Sequence, residues 1–371
     1  MKPTILSQLK KSAAVMTFGL AAALPTQADN LNFYNWSDYI AENTLEDFQK
    51  KTGTKVTYDV FDSNEVLEAK LLAGRSGFDL VVPSATFLAR QIQAGVFQPL
   101  DMSKLPNHKN LDKNLMKTLS KLDPDNKYAV PYLWGTTGIG YNVKQVEKVL
   151  GKDAPVDSWD LVFKPENMKK LAECGVSFLD SPDEIYPLAM NYLGLDPDSK
   201  SGKDYKKNSP AAELLKSVRP YVKQFHSSQY INNLANGDIC VAVGWSGDIL
   251  QAMDRAEEAE NGVEIEYSIP KEGTSMWFDM LAIPKDAKNP EAALAMINYL
   301  MEPEVMRDIS NYVWYPNGIP ASKPMLDKEI SENPSIYPSE EVASRLFPLG
   351  VRGPKIDKLL TRFWTDMKTG R

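Results

Sequence analysis

Apolar and polar positions along this chain change period repeatedly, and those changes predict its elements. Leu31 and Phe33 recur at a spacing of two within Asn30–Asn35, the pattern of a strand with one buried face. Asn43–Lys51 switches to helical spacing, with Leu45 and Phe48 inward and Gly53 as the stop. Lys55–Phe61 predicts a second strand, and Ser63 caps a helix that runs through Ala73. Phe78–Val82 is a continuous apolar run of the kind buried in parallel sheets. Strand followed by helix, repeated, implies right-handed βαβ units.

Lys127–Val143 breaks this rhythm with one long extended segment carrying Gly135, Gly138 and Gly140. A strand of that length is expected to run from one lobe into another, the glycines letting the backbone turn. Beyond it, Val176–Leu179, Ile239–Val243 and Val263–Tyr267 predict strands of a second sheet, with a helix over Ala211–Phe225 among the connections. Ser275–Pro284 predicts a second crossing, Asn289–Pro290 opens a helix ending near Leu300, and Tyr315–Pro320 predicts a turn that returns the chain. Tail helices over Ser339–Phe347 and Lys355–Lys368 are expected on the second lobe.

The first 28 residues fit no such element. Lys2, Lys10 and Lys11 precede or flank a short apolar run, Ser12–Leu24, and Thr26-Gln27-Ala28 resembles a small-residue cleavage site. This is the three-part pattern of an export signal, cleaved near Ala28, and it predicts a periplasmic mature protein. Its removal takes away three lysines and no acid, moving the formal charge from −7 to −10. An excess of acid disfavours nucleic acid, which is bound through phosphate neutralisation. Two cysteines, Cys174 and Cys240, read as one disulfide in an oxidising compartment. Neither has a histidine near it, so no metal site is predicted.

The candidate chemistry lies in a recurring pair, an aromatic ring beside an acid. Strand Leu31–Asn35 ends in Trp36, Ser37, Asp38 and Tyr39; the pairing returns at Trp245/Asp248 and at Trp277/Asp279. Rings and carboxylates at strand ends suit an organic cation. Each position also has a plainer reading. Trp36 and Tyr39 also suit the cover of a core, Asp248 also suits a helix N-cap, a role compatible with ligand binding, and Glu184 equally suits a solvated loop. Enzymatic motifs fit poorly. Gly244-Trp-Ser-Gly-Asp248 departs from a nucleophile elbow in its fifth residue, and neither His108 nor His226 stands in the context of a general base. The competing class is a secreted hydrolase or lyase using Asp248 and Asp279 as an acid pair.

Asn35-Trp-Ser-Asp-Tyr-Ile40, Phe78-Asp-Leu-Val-Val-Pro-Ser84, Val130-Pro-Tyr-Leu-Trp-Gly-Thr-Thr137, Val243-Gly-Trp-Ser-Gly-Asp248, Trp277-Phe-Asp279 and Tyr312-Val-Trp-Tyr315 together resemble the periplasmic polyamine-binding proteins. These are the receptors of putrescine and spermidine ABC transporters, and the likeness spans the mature chain. It implies an α/β, two-lobed periplasmic binding protein fold of type II, each lobe a mixed sheet flanked by helices, joined by a multi-strand hinge. Residues 29–135 and 274–318 would form lobe 1, and 136–273 and 319–371 lobe 2. Trp36, Ser37, Asp38, Tyr39, Ser84, Trp277, Asp279 and Tyr315 would bind ligand from one side, and Glu184, Trp245 and Asp248 from the other. A putrescine-binding member of the family carries Phe where Trp277 stands, whereas spermidine-preferring members tend to carry Trp, so the resemblance leaves the choice between the two ligands open. The resemblance further implies a monomer that needs no cofactor, performs no catalysis and delivers its polyamine to an inner-membrane permease.

Overall fold

The computed structural model describes residues 30–370; the predicted export signal lies outside the described residues. Among the described residues there are ten strands: β1 Asn30–Trp36, β2 Lys55–Phe61, β3 Leu80–Val81, β4 Ala129–Asn142, β5 Val176–Phe178, β6 Gln224–Phe225, β7 Val241–Trp245, β8 Ile265–Ser268, β9 Thr274–Ala282 and β10 Leu346–Pro348. Their order is β2-β1-β3-β9-β4-β7-β5-β6, with β10 on β9 and β8 on β4. β1 lies parallel to β2 and β3, as expected of βαβ units, and β5 lies parallel to β6 and β7. β4 joins the two groups. Its Ala129–Thr136 part pairs antiparallel with β9, and its Thr137–Asn142 part pairs with β7 and β8.

Each group has its own core. One contains Leu31, Phe33, Leu80, Tyr132, Leu281 and Ile297. The other contains Trp159, Phe178, Tyr186, Val243 and, from the tail helix Pro354–Thr369, Leu360 and Phe363. The result is a two-lobed α/β protein. Leu326, Ile330 and Ile336 pack in a third cluster with Trp314 and Leu250. Cys174 and Cys240 form a disulfide beside the second core.

Several local expectations need correction. The predicted helix over Ala211–Phe225 is Pro210–Val218; a 3-10 turn follows at Arg219–Tyr221, and Gln224–Phe225 is strand β6. Pro220 has no N–H to continue the helical ladder, and its ring clashes with the preceding turn. The buried run Phe78–Val82 is strand only at Leu80–Val81. Ser339–Phe347 is helical only at Glu340–Ala343, because Leu346–Pro348 is taken up by pairing with β9. The glycines of β4 do not turn the chain, for none has positive φ. They allow close approach: a Cβ on Gly135 would stand 2.7 Å from the Trp277 ring, and one on Gly138 would stand 2.5 Å from the Tyr267 hydroxyl.

Candidate functional site

Strand ends from both lobes meet where the sheets join. β1 stops at Trp36 because Asn35 ties the following turn: its Oδ1 accepts the Trp36 N–H at 2.8 Å, and its Nδ2 donates to the Tyr39 carbonyl at 3.3 Å. Asp38 takes the left-handed conformation, φ 55°, which a short polar residue tolerates. Trp36 and Tyr39 are buried at this turn, whereas Asp38 is exposed. Across the join, β7 ends at Trp245, and the helix Ser246–Glu258 starts at once, with Asp248 in its first turn. The helix Pro303–Val313 ends with Trp314 in the left-handed region, φ 60°, and the next residue is the buried Tyr315. Gly247 makes room for that ring; a Cβ there would lie 2.4 Å from it.

Ten of the eleven predicted residues line one narrow cleft. Trp36, Ser37, Tyr39, Ser84, Trp277, Asp279 and Tyr315 belong to the first lobe's elements, and Glu184, Trp245 and Asp248 to the second's. The eleventh, Asp38, does not line it. Its carboxylate pairs with Arg255 at 2.6 Å, an ion pair that spans the two lobes at the rim. The sequence reading missed Asn64, which lines the cavity and exchanges two hydrogen bonds with Ser84 at 2.9 and 3.0 Å. It also missed Tyr230, which is wholly buried behind Asp248.

Hydroxyl groups position the acids. Asp279 accepts from Tyr39 at 2.8 Å and from Ser84 at 2.6 Å. Asp248 accepts from Tyr230 at 2.7 Å and from Tyr315 at 2.8 Å, so it is neither a helix N-cap nor a solvated group. Glu184, half-buried in the first turn of the helix Pro182–Tyr192, accepts from Thr137 at 2.7 Å and from Ser275 at 3.1 Å. The rings of Tyr39 and Tyr315 meet edge to face at 5.1 Å, each directing its hydroxyl to a different aspartate. Trp36, Trp245, Trp277 and Tyr315 continue the wall, with centroids 5.3, 6.4 and 5.5 Å apart in succession.

Burial pushes the carboxyls of Asp248 and Asp279 up to about 7, against the opposing pull of the hydroxyls they accept from. Burial raises Glu184 as well. The Tyr39, Tyr230 and Tyr315 hydroxyls are pushed well above their ordinary value, first by burial and then by the neighbouring aspartates, so they remain donors. No Lys, Arg or His lines the cavity. Three acids gathered without a cation favour a positively charged guest.

A nucleophile reading finds little support in the geometry. Ser246 is buried and accepts the Thr136 N–H at 3.4 Å, while His226 Nδ1 accepts the N–H groups of Ser228 and Gln229 in its own turn. Among the described residues no group of three or more His, Cys, Asp or Glu is arranged to hold a metal ion.

Comparison with known proteins agrees with the two-lobed arrangement. The chain is 58% identical over 348 residues to the putrescine-binding periplasmic protein of Escherichia coli (strain K12), covering 94% of each. It is 57% identical over 364 residues to the putrescine-binding periplasmic protein of Pseudomonas aeruginosa (strain UCBPP-PA14), covering 98% of each. Among solved structures it superposes on a spermidine/putrescine ABC transporter protein of Listeria monocytogenes with a TM-score of 0.81 at 32% identity, covering 93% of this chain and 100% of the other. Residues 43–338 match the family model described as bacterial extracellular solute-binding protein. The acid-lined cleft between two α/β lobes therefore belongs to a member of the bacterial extracellular solute-binding protein family.

Proposed function

We propose that this protein is a periplasmic receptor for linear aliphatic amines with a charge at each end, putrescine and/or spermidine, and that it delivers them to the permease of an inner-membrane ABC transporter. One observation carries this reading. Asp248 and Asp279 are held by opposite members of a tyrosine pair, in an aromatic slot that no cationic side chain lines. An ammonium has three donors and no acceptor, so each end of a diamine needs acceptors around it. The rings cover the methylenes between and add cation–π attraction of roughly 0.5–2 kcal/mol per contact. The names of the similar proteins point to the same ligands.

The eleven residues Trp36, Ser37, Asp38, Tyr39, Ser84, Glu184, Trp245, Asp248, Trp277, Asp279 and Tyr315 form the site in this reading, with Asp38 acting at the rim through Arg255. Lobe 1 comprises 29–135 and 274–318, and lobe 2 comprises 136–273 and 319–371. The protein acts as an exported monomer, its signal cleaved near Ala28, and it binds and releases ligand without bond chemistry. Calorimetric titration of the mature protein with putrescine, cadaverine, spermidine and spermine tests this. One-to-one binding without turnover is expected; no binding to any of the four, or the appearance of a product, overturns it.

A further inference from the structure

A second group of charges spans the two lobes, away from the diamine slot. Helices Asn64–Leu72 and Ala85–Gln93 pack on the first core, and helix Pro354–Thr369 packs on the second. The crevice between them is lined by Glu68, Leu72 and Arg90 from one side and by Val351, Arg352 and Asp357 from the other. Each arginine has an acid of its own lobe. Arg90 Nε donates to Glu68 at 2.7 Å, with its guanidinium 3.8 Å over the Phe87 ring. Arg352 is buried and pairs with Asp183, the residue before the slot acid Glu184. Asp357 is shared by both arginines. Its Oδ2 lies 3.7 Å from Arg90 Nη1 across the lobes, and its Oδ1 lies 3.8 Å from Arg352 Nε. It stands in the first turn of its helix, where the helix dipole favours negative charge. Burial lowers the Arg352 guanidinium to about 10; Asp357 opposes that shift and Arg90 adds to it, so the two arginines repel each other across the gap. Glu65 of the first lobe also faces this cluster, and its Oε1 accepts the Ser181 hydroxyl of the second at 3.4 Å.

We propose that Asp357 is a positioning residue for ligand binding, the shared counter-ion that lets Arg90 and Arg352 approach when the cleft closes. This rests on the polyamine reading and on lobe closure, and it assigns a role to a residue that lines no part of the slot. A ligand held by both lobes binds with an affinity set partly by the population of the closed form. Arg90 with Glu68, Arg352 with Asp183 and Arg352 with Asp357 are contacts within one lobe, so they are the same open or closed and cancel. Two terms arise on closure. Arg90 gains the Asp357 carboxylate, and it meets the like charge of Arg352. With Asp357 present the attraction wins, because the carboxylate touches both cations. Without its charge only the repulsion remains, and Arg90 changes from a help to a hindrance.

Putrescine is titrated calorimetrically at pH 8 and low salt into the parent, Asp357→Asn, Arg90→Gln and the double variant. All four groups lie outside the slot, so the ligand's own contacts are retained. Asp357→Asn should weaken binding about fivefold and Arg90→Gln about threefold, the range of a partly exposed ion pair. In the Asp357→Asn background, Arg90→Gln should instead tighten binding about twofold. That reversal of sign is what a merely structural role would not produce. An Asp357→Asn variant that binds like the parent, or an Arg90→Gln effect of the same sign in both backgrounds, overturns the proposal. Should Asp357→Asn fail to fold, Arg90→Gln decides alone, and parental affinity in it is the overturning result. A parent that binds no polyamine overturns the polyamine reading itself, whereas one that binds putrescine while the variants match it overturns only the role of Asp357.

Discussion

Replacing Asp248 with Asn should move stability and affinity in opposite directions. This carboxyl is 5% exposed, and burial lifts its pKa from 3.8 to about 7. Because the folded value lies above the unfolded one, the cost of keeping it ionised is absent below pH 4, grows through the interval to pH 7 and is constant above. About three pKa units correspond to about 4 kcal/mol at pH 8. Asn has no charge to desolvate, but Tyr230 and Tyr315 donate to different carboxylate oxygens, and the amide nitrogen that replaces one of them is itself a donor. The unmatched hydroxyl returns about 1 kcal/mol. The empty Asp248→Asn variant should therefore be more stable than the parent by about 2–3 kcal/mol at pH 8, an advantage that vanishes near pH 4. Polyamine binding should weaken by about 2–5 kcal/mol, since an ammonium loses its buried counter-charge. Denaturant titrations at both pH values, with and without putrescine, read both quantities. A variant that is less stable when empty at pH 8, or that binds putrescine like the parent, would refute this account of the site.

Other expectations follow from the same geometry. Asp279→Asn should weaken binding by a similar 2–5 kcal/mol, checked by calorimetry, and parental affinity in that variant would remove Asp279 from the site. Polyamine affinity should fall as pH drops from 8 to 5.5, because Asp248 and Asp279, each with a carboxyl near 7, gain protons that compete with the ligand. Each group contributes up to about tenfold per pH unit, and a flat calorimetric profile would contradict it. Replacing Cys174 and Cys240 with alanine opens a link between residues 66 apart and should lower stability by about 2–4 kcal/mol in a denaturant titration. Saturating putrescine should shrink the radius of gyration in solution scattering, as a ligand contacting both lobes favours the closed form; superimposable profiles would argue against closure.

Much of this arrangement is legible in the chain because the relevant signals are local. Trp36 and Tyr39, or Trp277 and Asp279, declare themselves within a few residues of a strand end. Elements fail where a non-local term decides. Nothing near Leu346–Pro348 announces that β9 will capture it as a strand. Gly135 signals a backbone need but not that the need is room for the Trp277 ring. Asp38 sits in the same motif as Trp36 and Tyr39, yet its left-handed φ and the distant Arg255 take its carboxylate to the rim. Tyr230 and Asn64 support site residues through single hydroxyl and amide contacts, which leave no periodic trace. Arg352 looks like any surface arginine until the fold buries it.

The strand order has a consequence for how such a chain matures. β9 lies between β3 and β4, although it follows β3 by nearly two hundred positions. The amino-terminal sheet thus has a gap that only residues 274–282 fill, and until they arrive Val81 and Ala129 have no neighbour on that side. Pairings this distant form late, after a large loss of chain entropy. A chain threaded through a translocation pore amino end first would hold its early portion unfinished until more than two-thirds of its length had emerged. Such a delay suits passage through a narrow pore and leaves the partial sheet in need of protection against premature association.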